Sequence, residues 1–189
     1  MLFNSGRRVA ASGVAAAVAA AVAMTAVPAA FATGTAVTGG STTIQLAPAT
    51  AKALRAKHIL VSGISRATVK GGVLTMRITG GTATPPTYVT QYKGGFRFAK
   101  GARSTTVTGI VFNTKKNTGS AVIRHRKIVA FKLGAPQSGN GGPGEVQFGD
   151  YPVRLTAAGQ KALDSALHTS VFDHHPRLGT GATDVRFKS

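Results

Sequence analysis

The side chains best suited to bind a metal ion lie together in one segment, Asp173-His174-His175-Pro176. Two imidazoles and a carboxylate are ligands that a divalent cation accepts. Adjacent residues of a strand point to opposite faces, so these three side chains converge only in a turn, which Pro176 permits. His168 is the one further group of this kind nearby. We therefore interpret the segment as a surface loop and predict no metal site, with Asp173, His174 and His175 as the candidate ligands if one exists.

The three tyrosines form a second group with chemical potential. Tyr88 and Tyr92 follow the Pro85-Pro86 pair and precede the Phe-rich segment, and Tyr151 begins a later apolar stretch. A tyrosine can be the axial ligand of a haem iron. It can equally pack its ring in a strand and keep its hydroxyl at the rim of the sheet. The residues alone leave both interpretations open.

Catalysis finds no support in the sequence. The chain has no cysteine and no Gly-x-Ser-x-Gly nucleophile motif, and neither a Walker nor a dinucleotide-binding fingerprint occurs. Its five carboxylates include no close pair of the kind that glycoside hydrolysis uses. We predict that the protein is not an enzyme and that it carries no cofactor. The catalytic alternative is a divalent-metal-dependent hydrolase that uses Asp173, His174 and His175.

The charge of the chain is its strongest compositional feature. Without Arg7 and Arg8, the chain holds 21 basic and 5 acidic residues, a net charge of +16. Residues 33–144 contain 16 basic residues and no acid, whereas the five acids all lie from Glu145 onward, beside five basic residues. A field of this size attracts polyanions, although it can also serve solubility alone.

We predict that the protein contacts anionic cell-wall or surface polymers. No helix-turn-helix, zinc or RNP-like motif is present, so sequence-specific binding of nucleic acid is not expected. The expected contact residues are basic side chains of the central strands and turns, namely Arg97, Lys100, Arg103, Lys115, Lys116, Arg124, Arg126 and Lys127.

The first 32 residues have the pattern of a signal peptide. Arg7-Arg8 precede the apolar, Ala-rich stretch Val9–Val27, and Ala30-Phe31-Ala32 is a small-x-small cleavage site. We predict cleavage after Ala32 and one exported domain, residues 33–189, with no further transmembrane segment. The alternatives are a retained N-terminal anchor and, for the route, twin-arginine export in place of general secretion. The expected location is extracellular, with association to the cell wall.

The segment Gly94–Thr114 predicts the central element, a hairpin. Phe96 and Phe98 alternate with Arg97, which places both rings on one face, and Gly109 predicts a bulge that turns Ile110 and Phe112 inward. Further alternating strands surround it. Three segments are predicted to be irregular: the lead-in Thr33–Ser41, the loop Gly80–Thr87 and the flexible loop Gly134–Gly144.

Two helices are predicted, Ala49–Lys57 after Pro48 and Ala157–His168 after Thr156. Each follows a strand directly, and the segments Ile44–Leu54 and Val153–Leu163 repeat the same pattern of Leu, Ala and Lys. We predict that they cap the two ends of the molecule, unless the similarity reflects Ala-rich composition alone. Many short strands with Gly-rich turns then predict a mainly β fold, an antiparallel sandwich or barrel. Of these two we predict the immunoglobulin-like β-sandwich with two short capping helices.

The stretch Tyr88–Thr114 resembles the HtaA-type domain of secreted Gram-positive haem-uptake proteins. In that family a strand leads into a His-x-Gly-x-Leu-like turn and an apolar hairpin, and this chain has Tyr92-Lys93-Gly94-Gly95-Phe96 there; Leu178-Gly179-Thr180-Gly181 adds to the likeness. Tyr92 stands where the haem-binding members carry histidine, and the chain lacks tryptophan and so the family's Trp-Gly motif. The resemblance implies the fold and, as the alternative function, haem binding with Tyr92 as ligand and Tyr88 and His125 as partners.

Overall fold

The computed structural model of the protein describes residues 34–188. The predicted signal peptide, its cleavage site and the alternative N-terminal anchor lie outside the described residues. Within the described range, none of the helices has the length and hydrophobicity needed to cross a bilayer.

The described chain consists mostly of strands, with three short helices. In chain order the elements are β1 (Thr35–Leu46), α1 (Pro48–Ala56), β2 (Ile59–Ile64), β3 (Thr68–Lys70), β4 (Val73–Thr84), β5 (Thr87–Tyr92), β6 (Gly95–Lys100), β7 (Arg103–Asn113), β8 (Thr118–Ile123), β9 (Arg126–Leu133), β10 (Ser138–Gly142), β11 (Glu145–Leu155), α2 (Ala157–Leu167), α3 (Val171–His174) and β12 (Arg177–Phe187).

Eight of the strands close into a barrel. Each pairs with the next in the order β7, β5, β4, β1, β12, β11, β9, β8, and β8 pairs with β7 to complete the ring. Strands β6 and β2 extend from β7, β3 pairs with β4, and β10 pairs with β11. The prediction of a mainly β, antiparallel fold is confirmed. The immunoglobulin-like sandwich is wrong, because the β7–β8 pairing joins the strands into one closed sheet instead of two facing sheets.

The central hairpin has the predicted form. Phe96 and Phe98 of β6 are buried, and so are Ile110 and Phe112 of β7. Gly109 has φ +56° and the pairing of β7 with β8 shifts register at this point, so the predicted bulge is present. The first half of β7 pairs with β6 and its second half with β5, so the bulged strand joins the extension to the barrel.

Both predicted helices form, but they lie at the same end of the barrel. Pro48 occupies the first turn of α1, and the Thr156 hydroxyl accepts a hydrogen bond from the Gly159 N–H as the cap of α2. β1 and β11 flank β12 and both run antiparallel to it, so the helices that follow them emerge on the same side. The prediction of one helix at each end is therefore wrong. We call this side the closed end and the opposite side the open end.

The closed end is sealed by apolar side chains of the helices. Leu163 and Leu167 of α2 are buried, and Leu163 adjoins barrel residues around a small internal void. The ring of Phe172 in α3 meets Phe98 edge-to-face, with centroids 5.6 Å apart. The helix α3 is not predicted by the sequence pattern.

The segments predicted to be irregular contain strands. β1 begins at Thr35, within the predicted lead-in. β4 continues to Thr84, because Gly81 at φ +138° brings its Cα against the Val89 carbonyl, where a Cβ would lie 1.9 Å from the oxygen. The glycine therefore permits the β4–β5 pairing where the sequence suggested a break. The segment 134–144 holds β10, which pairs with β11.

Candidate functional site

The predicted polyanion-contact residues divide into groups at the two ends of the barrel. Lys100 donates a hydrogen bond of 3.0 Å to the carbonyl of His168, and Arg124 donates one of 3.3 Å to the Ser165 hydroxyl. Both partners belong to the last turn of α2 and its cap. The β6–β7 turn and the β8–β9 turn therefore meet beside α2. We call Lys100, Arg103, Arg124, Arg126 and Lys127 at these turns the closed-end cluster.

Arg97 and the lysines of the β7–β8 turn lie outside the closed-end cluster. Arg97 lies on the outer face of β6 and donates to the Ser104 hydroxyl at 3.1 Å. Lys115 and Lys116 lie beyond the Asn113–Thr118 pair, whereas Arg124 follows the Val107–Ile123 pair at the other end of the same two strands. At about 3.3 Å per residue, the six residues of β8 separate these turns by about 20 Å.

The cations of the acid-free segment have no carboxylate partners among the described residues. The single ion pair within residues 34–188 joins Arg186 to Asp184 at 3.5 Å, outside that segment. Asp164 is a buried carboxylate beneath the closed-end cluster, but it accepts hydrogen bonds from the backbone N–H groups of Phe172 and Asp173, at 3.1 and 2.8 Å. Its oxygens therefore hold the start of α3, and the positive charge around α2 has no close ion-pair compensation.

A chain of five buried hydroxyl groups crosses the interior of the barrel. The members bond in the order Thr90, Tyr92, Thr42, Thr183 and Tyr151, with oxygen–oxygen distances of 2.9, 2.6, 2.7 and 2.6 Å. They come from β5, β1, β12 and β11, so the chain links strands around half of the barrel. Buried polar groups need such partners, because an unpaired buried hydroxyl is costly.

Burial in the barrel raises the pKa of both phenols of the hydroxyl chain. Burial raises the pKa of Tyr92, the nearby Tyr151 raises it further, and the hydrogen bonds from the threonines only partly oppose the shift. Burial likewise raises the pKa of Tyr151. At neutral pH both groups therefore act as hydrogen-bonding hydroxyls and not as phenolates.

A cavity of about 180 Å³ opens above this chain at the open end. Thr90, Tyr151 and Thr183 of the hydroxyl chain line it. Its other walls come from turns and strand ends at this end of the barrel, namely Pro86, Tyr88, Phe112, Thr114, Asn117, Leu133, Gly134, Pro136, Phe148 and Val185. The rings of Tyr88 and Phe148 meet edge-to-face, with centroids 4.9 Å apart. Within residues 34–188, no charged side chain lines this cavity.

The residues proposed for haem ligation do not converge. Tyr92 is 5% exposed and its hydroxyl is committed to Thr42 and Thr90. Tyr88 lines the cavity, but burial raises its pKa, and no cation of the lining could hold a phenolate or a haem propionate. His125 lies in the β8–β9 turn, at the end of β8 opposite the cavity.

The size of the cavity also argues against haem. Ligand pockets of drug-sized molecules are typically about 300–1,000 Å³, larger than this one. Together with the scattered Tyr92, Tyr88 and His125, this means that the described residues do not fit a haem group at the open end.

The candidate metal ligands also face different grooves. Asp173 lies with α2 residues beside Lys57 and Lys161, whereas His174 and His175 line a separate groove with Pro48. Among the described residues, no three His, Cys, Asp or Glu side chains are grouped so that they could hold a metal ion.

Comparison with known proteins relates the chain to one solved fold. Sequence comparison with protein-family models and with curated proteins finds no match. The crystal structure of the C-terminal domain of HtaA from Corynebacterium glutamicum superposes with a TM-score of 0.60, over 81% of this chain and 98% of that domain. The chain has the fold of the HtaA C-terminal domain. The two sequences are 12% identical, so the likeness concerns the fold alone.

Sequence reasoning identified the three tyrosines but not the hydroxyl chain. Thr90 lies between Tyr88 and Tyr92 with the same inward orientation, and Thr42 precedes Ile44 on the inward face of β1. The alternation of inward and outward side chains along β1 and β5 was therefore a signal in the sequence that Thr42 and Thr90 lie in the interior. Nothing local indicates that Thr183, 141 residues from Thr42, completes the chain.

Proposed function

We propose that this is an exported, non-catalytic binding protein of the cell envelope whose closed-end cluster contacts anionic wall polymers. The observation that carries the proposal is the uncompensated charge: residues 34–144 hold 16 basic side chains and no acid, and none of them forms an ion pair within the described chain. Export and extracellular location follow from the predicted signal peptide and belong to the same proposal.

The closed-end cluster favours a polymer of repeated anions over one small anion. Lys100 and Arg124 form hydrogen bonds to the end of α2 and its cap. Arg103, Arg126 and Lys127 are exposed at the starts of β7 and β9. Cations spread over adjacent turns can contact successive phosphates or carboxylates of one polymer. Such binding releases condensed counterions, so its affinity depends steeply on salt.

Paired substitutions test the position of the binding surface. Arg126→Gln/Lys127→Gln removes two charges at the closed end, and Lys115→Gln/Lys116→Gln removes two at the open end. We expect the first pair to weaken binding to immobilised wall teichoic acid about tenfold and the second less than about threefold. Equal losses would mean that net charge alone drives binding and would overturn the assignment to the closed end.

Haem binding is the alternative function, and it rests on the likeness to the HtaA fold. The cavity lining, the committed Tyr92 hydroxyl and the distant His125 weigh against it. A haemin titration followed in the Soret region separates the two functions. We expect no saturable one-to-one shift. A saturable shift that is lost in Tyr88→Phe would instead support a haem site at the open end.

A further inference from the structure

The hydroxyl chain has one hydrogen more than its hydrogen bonds use. Each hydroxyl donates one hydrogen, so five hydroxyls offer five, and the four bonds between them consume four. Among the described residues, none of these five hydroxyls has a hydrogen-bond partner outside the chain. One hydroxyl hydrogen of the chain is therefore uncommitted.

The uncommitted hydrogen is available at the cavity. When all four bonds run in one direction, Tyr151 holds the spare hydrogen; when they run in the other, Thr90 holds it. Uniform direction is favoured, because each hydroxyl that donates becomes a better acceptor. Thr90 and Tyr151 both line the cavity, so either direction leaves the spare hydrogen on a residue of its wall.

The volume and the lining of the cavity indicate the size, shape and charge of the molecule that it can bind. A volume of about 180 Å³ exceeds the roughly 150 Å³ of an apolar protein cavity known to hold benzene. Tyr88, Phe112 and Phe148 provide three aromatic walls, which favour an aromatic ring packed edge-on or offset. The lining carries no charge, so nothing offsets the desolvation of an ionic ligand.

We propose that the open-end cavity binds a small neutral aromatic molecule whose hydrogen-bond acceptor receives the spare hydrogen of the hydroxyl chain. This site lies opposite the closed-end cluster and does not depend on polyanion binding. Its ligand is neutral, so its affinity is insensitive to salt, in contrast to the closed end.

The tyrosines provide a direct readout of the site. The chain has three tyrosines and no tryptophan. Tyr88 and Tyr151 line the cavity and Tyr92 belongs to the hydroxyl chain. We would label tyrosine rings with ¹³C and titrate the protein with acetophenone, with isopropylbenzene as a shape-matched hydrocarbon, and with benzoate as an anion.

The three probe molecules differ in whether they carry a hydrogen-bond acceptor and in charge, and these two properties set the expected order of their affinities. Acetophenone should shift the tyrosine signals saturably and bind about three- to tenfold more tightly than isopropylbenzene, since one net hydrogen bond separates them. Benzoate should not bind. No saturable shift with acetophenone, or equal binding of benzoate, would overturn the proposal.

Two variants locate the interaction. Thr90→Val/Tyr151→Phe/Thr183→Val removes the three hydroxyls of the chain that line the cavity, keeps the Tyr88 and Thr114 hydroxyls as internal controls, and nearly preserves the shape of the cavity. This variant should bind acetophenone no more tightly than isopropylbenzene and should still bind isopropylbenzene. If acetophenone still binds more tightly, the proposed hydrogen bond is wrong.

Phe148→Ala removes a half-buried wall of the cavity and provides a second test if the triple variant does not fold. It should weaken both ligands about two- to tenfold, and unchanged affinities would contradict the location.

Discussion

Tyr92 joins Thr90 to the other three members of the buried hydroxyl chain. Its hydroxyl lies 2.6 Å from that of Thr42 and 2.9 Å from that of Thr90, so it connects β5 with β1. Its ring meets Phe112 edge-to-face at 5.3 Å. Inside the barrel, the ring of Tyr92 therefore packs against apolar side chains, and its hydroxyl provides hydrogen bonds to two buried threonines.

Removing the Tyr92 hydroxyl should destabilise the fold. In Tyr92→Phe the Thr90 hydroxyl loses its only partner and Thr42 loses one of two. We expect the free energy of unfolding to fall by about 1–2 kcal/mol, measured by urea denaturation. Tyr88→Phe is the matched control, because the Tyr88 hydroxyl shares no hydrogen bond within the described residues; its change should stay within about 0.5 kcal/mol. Equal losses in both variants would contradict the role of the chain.

Alkaline pH should destabilise the protein through the two phenols in the chain. An unperturbed tyrosine titrates at pH 10.0, and burial raises the pKa of Tyr92 and Tyr151 in the folded state. Above pH 10 the folded chain therefore holds more protons than the unfolded chain, and stability falls as pH rises.

The slope of the free energy of unfolding against pH shows whether the buried tyrosines cause the decline in stability. Each phenol contributes up to about 1.4 kcal/mol per pH unit. Urea unfolding between about pH 8 and pH 11 should show constant stability below about pH 9 and a decline above pH 10. Because burial also raises the pKa of Tyr88, Tyr92→Phe should make the decline shallower by about a third to a half. An unchanged slope in this variant would show that other groups cause the decline.

Local chemistry predicted some residues well. The alternation of Phe96 and Phe98 and the glycine at position 109 were enough to predict a hairpin with a bulge, because both are properties of adjacent residues. The partners of the hydroxyl chain were beyond such reasoning. Thr42 bonds Tyr92 and Thr183, which are 50 and 141 residues away, and only the strand order brings them together.

At the scale of elements, the packing of α2 depends on one glycine. Gly159 lies against β9, where an added Cβ would stand 2.4 Å from the Ala130 carbonyl oxygen. The Thr156 cap fixes the same turn, since its hydroxyl accepts from Gly159 and donates to the Val129 carbonyl. This close approach holds the helix on the closed end.

Substitution of Gly159 should reverse the usual effect of alanine in a helix. Alanine gains about 1 kcal/mol over glycine in an unconstrained helix. In Gly159→Ala the Cβ must displace α2 from β9, and we expect a net loss of about 2 kcal/mol in thermal or urea unfolding. The neighbouring Ala158→Gly, at an exposed position, should cost only about 1 kcal/mol, the propensity difference. A stabilised Gly159→Ala would show that the helix does not pack as closely as described.

Helices and central strands were predictable from caps and alternation, whereas glycine-rich strands were not. Pro48 and Thr156 mark the helix starts, and the strand positions alternate in burial. β10 has the sequence SGNGG, which offers no apolar alternation, and it forms only because β11 supplies its backbone partners. Composition therefore indicated a loop where pairing produces a strand.

At the scale of the whole molecule, the closed barrel separates two surfaces. The sequence pattern fits both a sandwich and a barrel, because alternation tells which residues face inward but not which distant strands pair. The pairing of β1 and β11 on either side of β12 brings both helices to one end and leaves the other open. The basic cluster and the neutral cavity thus lie at opposite ends.

Salt dependence tests the central claim, that cations without an ion-pair partner among the described residues bind anionic polymers. We would measure the Kd for wall teichoic acid between about 50 and 200 mM salt, with uncharged dextran as the control polymer. With about three phosphate contacts, the affinity should fall roughly twenty- to fortyfold over this range, and dextran should not bind. A Kd that is independent of salt, or equal binding of dextran, would contradict the claim.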